Sequence, residues 1–565
     1  MSYRSPEAEH LFLLDHVIGA GRLAETDLFA EAGRDVIEAV LTEAGKLSSE
    51  ILAPLNRAGD LHPAALENGV VRCSPGYREG YQAIAEGGWV GISAGAEHGG
   101  MGLPITVASA VNEMMSASCL SLSLNPLMTQ GQIEALEAHA SPELQAIYLP
   151  KLISGEWTGT MNLTEPQAGS DVGALRSRAT PNDDGSFAIS GQKIFISWGD
   201  HDVAENICHL VLARLPDGVP GTKGISLFMV PKYLPTENGA PGVANSLRPV
   251  SLEHKLGLHG SPTAVMEFDR ATGFMIGAPH GGMAAMFTMM NNARLGVGVQ
   301  GLGIAEAATQ KAMAFAKERK QGRSPIEGGA GTIVDFADVR RMLMTMRGLT
   351  DAARAICLDT ALSADMARAT GDAAWKARGA FLTPIAKAFG TDIGCEVASL
   401  GVQVHGGMGF IEETGAAQYL RDVRVTAIYE GTNGIQAMDM VGRKLMDGGA
   451  AARALIAEIR ETADAAEPDL GGRLAAAADE LSAATDWMLA AEMNDRFAGA
   501  TRYLRAFALA LGGHYALKAA AADQGRMPKA VFTIRQLMAE VPGLCAVACE
   551  GADPLYALDA DRLTA

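Results

Sequence analysis

Positive charge is scarce in this chain. Its 565 residues carry 46 Lys and Arg against 65 Asp and Glu, for a formal net charge of −19 and a pI of about 5.1. Phosphate backbones are held by clustered Lys and Arg, so this balance excludes a nucleic-acid surface. It leaves room for a local basic pocket around a phosphorylated ligand. Paired cysteines are also missing. The seven stand scattered at 73, 119, 208, 357, 395, 545 and 549, with no Cys-x-x-Cys and no Cys/His cluster. That spacing argues against a disulfide framework or a zinc site. Cys545 and Cys549 share a helix face and read as small buried residues. No secretion signal is expected, because the run Leu11-Phe12-Leu13-Leu14 ends at Asp15. No apolar stretch is expected to span a membrane. The sequon Asn162-Leu163-Thr164 is then empty, and a cytoplasmic location is the simplest expectation.

What is present is enough apolar residue, 48% against 20% charged, for a globular protein of several domains. Apolar residues recur at three- and four-residue spacing over 26–53, 106–118 and 131–148, so 1–158 reads as helical, broken at Pro63, Pro75, Glu97–Gly102 and Pro126. Short aliphatic runs at 186–190, 193–197, 209–213, 225–230 and 265–268 follow, punctuated by turn residues. The segment 159–280 is therefore expected to be an antiparallel β-domain. Three long helices, 282–320, 338–367 and 376–401, predict a bundle over 281–445. The Ala-rich remainder, 446–565, reads as a helical extension that covers the bundle. The fold class is α+β.

Several segments carry possible chemistry. Ile428-Tyr429-Glu430-Gly431-Thr432-Asn433-Gly434 sets one carboxylate beside flexible backbone. Burial there can raise its pKa toward that of a general base. From the local pattern alone, a surface glutamate in a Gly/Asn turn is the plainer reading. The loop Thr164-Glu-Pro-Gln-Ala-Gly-Ser-Asp171 can bond a heterocycle edge or a phosphate, or be an ordinary turn. Arg294, among apolar and amide residues, fits either a ligand phosphate or a structural salt bridge. Gly296-Val-Gly-Val-Gln-Gly301 matches G-x-G-x-x-G but has no preceding strand, so it reads as a small-residue face for close helix packing. Glu318–Arg323 by itself is a solvated helix end.

The order of these pieces resembles the acyl-CoA dehydrogenase family over roughly 45–445. The resemblance rests on Thr164–Asp171, on Gly191-Gln-Lys-Ile-Phe-Ile-Ser197, on Arg319 and Gln321, and on Gln403-Val-His-Gly-Gly-Met-Gly-Phe410 leading to Tyr429–Asn433. It implies an N-terminal helical domain, a middle β-domain and a four-helix bundle, with FAD as cofactor. The implied reaction is α,β-dehydrogenation of an acyl-CoA thioester. Glu430 matches the catalytic base, taking the α-proton while a hydride leaves the β-carbon for the flavin. The developing enolate needs hydrogen bonds at the thioester carbonyl, which the family draws from the base's own N–H and a ribityl hydroxyl.

By the same matching, Leu163, Thr164 and Ser197 contact the isoalloxazine edge and Phe195 lies against the ring. Ser170 lines the pyrophosphate and the substrate entrance. Arg319, Gln321, Gln403 and Gly407 bind FAD across a subunit boundary, and Thr432 touches FAD. Arg294 lies near the CoA moiety, and Gly431 joins the substrate contacts. Gly434 and Gly322 depart from shorter relatives, which often carry Glu or Gln and Phe there. The resemblance further implies a homodimer at least, an electron-transfer flavoprotein as reoxidant, and no metal.

The long N-terminal segment and the C-terminal extension resemble an extended bacterial subclass. It acts on 3-methylmercaptopropionyl-CoA, from dimethylsulfoniopropionate breakdown, or on ordinary fatty acyl-CoAs, and the former is the leading expectation. Met283, Met286, Met289 and Met290 offer a sulfur-tolerant surface, but bundle core is the favoured reading. An acyl-CoA oxidase and a non-catalytic scaffold are the rival classes.

Overall fold

A computed structural model describes residues 3–564. The N-terminal part contains α1 (Glu7–Phe12), α2 (Arg34–Lys46), α3 (Ala53–Leu61), α4 (Tyr77–Glu86), α5 (Ile105–His139) and α6 (Pro142–Ile153). It also holds a small hairpin of β1 (Ala65–Glu67) and β2 (Val70–Arg72), absent from the sequence expectation because each strand is only three residues long. The α5 segment breaks at Cys119 (φ −155°, ψ 85°), whereas Pro126 sits inside the helix.

The middle part is built from β3 (Trp157–Asn162), β4 (Arg178–Pro181), β5 (Phe187–Ser197), β6 (Asn206–Arg214), β7 (Ile225–Pro231), β8 (Tyr233–Pro235), β9 (Pro241–Ala244), β10 (Leu247–Leu252) and β11 (Thr263–Ile276). β11, β5, β4, β6 and β7 pair in a closed ring, with β10 and β3 on its outer edges. Its interior has its own core of Ile189, Ile196, Val211, Phe228, Val230 and Met266. The expected antiparallel order needs correction at β6, which meets β4 in parallel at Arg178↔Arg214. β3 pairs β6 in parallel, from Trp157↔Asn206 to Asn162↔Val211. Intervening β4 and β5 form the crossover that a parallel pair requires.

The bundle consists of α7 (Gly282–Glu318), α8 (Ala337–Thr370), α9 (Ala373–His405), α10 (Ala416–Val423) and α11 (Asn433–Asp439). The glycines of the G-x-G-x-x-G match act as expected. A Cβ at Gly298 would lie 2.4 Å from Ala386 O, and one at Gly301 2.4 Å from Gly390 O, so α7 and α9 touch backbone to backbone. Further along, Phe315 stacks on His405. The two helices therefore run parallel.

The extension comprises α12 (Ala450–Ala465), α13 (Pro468–Ala490), α14 (Met493–Ala522), α15 (Met527–Phe532) and α16 (Val541–Ala548). Its buried residues, among them Leu455, Ile459 and Phe507, belong to the same continuous core as Leu349, Phe381 and Phe389 of the bundle. Polar ties reinforce this. Tyr515 OH donates to Asp359, Lys529 pairs with Asp351 at 2.9 Å, and Arg526 reaches back to Glu9 of α1 at 2.7 Å. Against expectation, the helical run Gln524–Ala548 is long and apolar enough to cross a membrane by length and composition, with mean hydropathy 1.3. Here it lies on α8, α13 and α14. Truncation after residue 445 uncovers the apolar faces of α8 and α9. Thermal melting and size-exclusion chromatography are expected to show a large loss of stability with aggregation, and an unchanged melt contradicts the shared core.

A buried charge cluster ties α1, α5, α7 and α8 together. Arg354, with its side chain fully buried, donates to Glu113 at 2.6 Å and to Glu306 at 2.7 Å. Arg347 covers Glu306 at 2.7 Å, and His10 covers Glu113 at 2.9 Å.

Candidate active site

The strongest local signal in the fold is strain. A side chain resists positive φ, at roughly 1–2 kcal/mol per residue in the left-handed region. Seven non-glycine residues adopt it among those described; of these, Phe195 and Trp198 lie at the end of β5, Leu258 in the β10–β11 connection and Glu430 just before α11. Such strain concentrates where function over-determines the backbone.

Phe195 is set by a bulge. Val265 of β11 stands opposite two residues, Ile194 and Phe195, between the pairs Met266↔Lys193 and Ala264↔Ile196. The extra residue turns the Phe195 ring outward, where it is 59% exposed at φ 60°. The neighbouring loop is docked on β5 by Ile194 N–H to Thr164 O at 2.9 Å. Beneath it lies an ion pair, Lys193 Nζ to Glu165 Oε1 at 2.9 Å, and Lys193 also donates to Leu163 O at 3.2 Å. Burial opposes both charges. Lys193, the Ser177 hydroxyl and the Arg176 and Ser177 N–H groups outweigh it and hold Glu165 well below the usual carboxylate range. The half-buried hydroxyls of Thr164 and Ser197 have no protein partner among the described residues, and Ser170 is exposed in the same loop.

The backbone after Phe195 is tied to the helical parts of the fold. Trp198 N–H bonds Pro262 O at 2.7 Å and its indole bonds Ser121 O of α5 at 3.1 Å. In the same β10–β11 connection, Leu258 N–H donates to Asp422 of α10 at 2.6 Å. Eight residues on is Glu430, at φ 56°, followed by Gly431 at φ 84°. Its Oε2 is buried without a hydrogen-bond partner. Burial pushes its carboxyl up to about 7, against the opposing pull of Arg294 and Lys387.

Arg294 is almost wholly buried, 3.5 Å from Asp439, with its Nε unpartnered. Thr432 caps α11, accepting from Ile435 N–H at 3.3 Å. Sequence reasoning missed four supports. Tyr429 OH donates to Gln300, Gln436 donates to Glu430 O at 3.2 Å, Lys387 donates to Gly431 O at 2.8 Å, and Asp439 pairs with Arg294. Only Lys387 left a signal, as a lone charge in the apolar run Pro384–Gly390.

Glu134 is a second carboxyl pushed up to about 7 by burial. It lines a cavity of about 330 Å³ together with Asn112, Thr288, Asn292, Leu295 and Val299. Asn292 already donates to it at 2.7 Å, and no positive-φ backbone presents it. Glu430 is the better candidate base.

Arg319, Gln321, Gln403 and Gly407 are grouped elsewhere. All four are exposed, at the shared C-terminal end of parallel α7 and α9. With the Gln321 amide oriented to accept, Arg319 donates to it at 2.7 Å. Nothing lies within 4 Å of a Cβ placed on Gly406 or Gly407. At 1.5 Å per residue, Arg319 stands about 37 Å along α7 from Arg294. The structure thus brings Phe195, Thr164 and Ser197 together, and Glu430, Gly431, Thr432 and Arg294 together, while the third group stands apart. Near it, a Cβ on Gly322 would lie 3.8 Å from the Phe336 ring.

An outward apolar ring with free hydroxyls beside it fits a flavin, and a glutamate with a buried, unpaired Oε2 fits a base for its substrate. Fold and fit together define an FAD-dependent oxidoreductase. The chain belongs to the acyl-CoA dehydrogenase family. Models of that family's N-terminal, middle and C-terminal domains match residues 62–156, 160–271 and 280–446. The model for the acetyl-CoA dehydrogenase C-terminal-like domain matches 455–559. The chain is 45% identical to 3-methylmercaptopropionyl-CoA dehydrogenase of Ruegeria pomeroyi, over 93% of this chain and 92% of that one. Its fold is that of Caenorhabditis elegans ACDH-11, solved with C11-CoA (TM-score 0.78, 21% identity, 95% and 91% covered). It is also that of an acyl-CoA dehydrogenase from Bacillus anthracis, solved with FAD (TM-score 0.76, 19% identity, 92% and 90% covered).

Proposed function

We propose that the protein oxidises 3-methylmercaptopropionyl-CoA to its 2-enoyl thioester, with Glu430 as the base. The observation that carries the chemistry is the buried, unpartnered Oε2 of half-buried Glu430 on its left-handed backbone. The similarity to the Ruegeria pomeroyi enzyme supports the substrate. Bound FAD supplies the acceptor for the β-hydrogen and its electron pair. Glu430 takes the α-proton onto its carboxylate, and its backbone N–H donates to the thioester oxygen, where charge develops. Phe195 carries the isoalloxazine, Leu163, Thr164 and Ser197 hold its edge, and Ser170 lines the entrance. Arg294 supports the base from below, and Gly431 and Thr432 border the substrate and FAD.

Arg319, grouped with Gln321, Gln403 and Gly407, stands about 37 Å along α7 from Arg294, which supports their serving a second subunit's FAD in a homodimer. An electron-transfer flavoprotein is the proposed reoxidant, and the cytoplasm the proposed compartment, in keeping with seven free cysteines.

The test is anaerobic bleaching of the flavin absorbance with 3-methylmercaptopropionyl-CoA, butyryl-CoA and palmitoyl-CoA, each titrated separately. Fastest bleaching by the thioether substrate is expected. Bleaching by palmitoyl-CoA alone moves the protein to fatty-acid oxidation, and stoichiometric peroxide in air makes it an oxidase. Only the ionised base accepts a proton, so the bleaching rate should rise with pH through the value of about 7 at Glu430 and level off above it. A flat profile between about pH 5.5 and 8.5 contradicts the assignment of the base.

A further inference from the structure

A charged side chain in an apolar interior persists only when it is paired and hydrogen-bonded. Lys387 is in that position. It is the lone charge of Pro384-Ile-Ala-Lys-Ala-Phe-Gly390 on α9, and its side chain is buried. Its Nζ donates to two acceptors, both in the loop that carries Glu430. These are Gly431 O at 2.8 Å and Asn433 Oδ1 at 2.8 Å. Asn433 is fastened in turn to α9, through Ala388 O at 3.2 Å, Thr391 Oγ1 at 2.9 Å and Asp392 Oδ1 at 2.6 Å. Gln436 holds the preceding carbonyl, Glu430 O, at 3.2 Å. Two successive left-handed residues thus have both their carbonyls pinned.

We infer that Lys387 is a positioning residue for the reaction: its ammonium locks the base loop and supplies the positive potential that keeps Glu430 ionised near neutral pH. This rests on Glu430 being the base. Two cations act on Glu430, Arg294 first and Lys387 second, and Lys387 is the one that also bonds the base loop. From α7 comes Arg294, which faces Asp439 of α11, and Asp439 also accepts from Arg443 at 2.5 Å. From α9 come Lys387 and Asp392, and Asp392 accepts from Asn433. Arg294, which exerts the larger pull on Glu430, is paired with Asp439, while Lys387 bonds only neutral oxygens and divides its field between Glu430 and Asp392. Burial brings the ammonium down to about 8, so it is still charged at neutral pH.

The experiment is the pH profile of anaerobic flavin reduction, using whichever of the three acyl-CoAs reduces the wild type fastest. It compares wild type, Lys387→Met, Lys387→Arg, Asn433→Ala and Glu430→Gln, each first checked for bound flavin. Lys387→Met should move the acid limb up by about one pH unit, making reduction ~10-fold slower below the limb. Asn433→Ala, which removes a neutral anchor, should lower the plateau and leave the limb in place. Lys387→Arg keeps the charge but misfits the two acceptors, and should likewise lower the plateau at an unchanged limb. An unmoved limb in Lys387→Met overturns the inference. If that variant binds no flavin, a limb displaced upward in Lys387→Arg overturns it instead. Glu430→Gln separates the two claims, because sustained reduction there removes the base itself, whatever the lysine variants do.

Discussion

Replacing Glu430 with glutamine is expected to slow reduction of the bound flavin by about 10²–10⁴-fold, the usual contribution of a positioned general base. Flavin content should not change. The amide is nearly isosteric, keeps the same backbone and N–H, and removes only the proton acceptor. No hydrogen bond of the fold is lost, because Oε2 has no partner to begin with. Stopped-flow bleaching against total flavin absorbance separates the two effects. Full activity in the glutamine variant refutes the assignment. A loss of flavin together with activity points instead to a structural role for the loop.

The second large effect lies far from the chemistry. Arg354→Met is expected to destabilise the protein by about 3–5 kcal/mol, the cost of stripping a partner from a buried ion pair. Arg354 serves both Glu113 and Glu306, and its removal leaves His10 and Arg347 to cover them from one side each. Burial works to raise both carboxyls, but the arginines outweigh it and hold them below their ordinary range. A depressed carboxyl stabilises the fold above its unfolded-state pKa. That contribution is lost as pH falls through the lower folded value, so the cluster should hold at neutral pH and fail only in acid. Denaturant unfolding at pH 7 measures the loss. A change below about 1 kcal/mol, the range of a surface pair, contradicts the buried role.

Much of this was legible in the sequence. The helix-packing glycines were legible from the missing preceding strand, whereas the base loop and the flavin-edge residues were marked only by the family resemblance, their local patterns reading equally as turns. Periodicity gave the long helices to within a few residues at most ends. It did not give the parallel β3–β6 pair, because pairing partners depend on which strands the chain inserts between them. Nor did it place the break in α5 at Cys119, whose conformation is imposed by packing, when Pro126 was the stronger local breaker. The supports of the base were hardest to read. Gln300 and Gln436 look like any helix amides until the fold brings their side chains to Tyr429 and Glu430. Lys387 was visible as an oddity, but its purpose lay in a loop more than 40 residues away.

The left-handed backbone at Glu430 has an evolutionary consequence. A glycine there would relieve the strain, so selection for stability alone pulls this position toward the residue that cannot catalyse. Were the activity no longer needed, the side chain of the proposed base would be among the first things such a lineage could discard with gain. A glutamate at that unfavourable φ thus carries a standing cost in stability, which its proposed role as the base would repay.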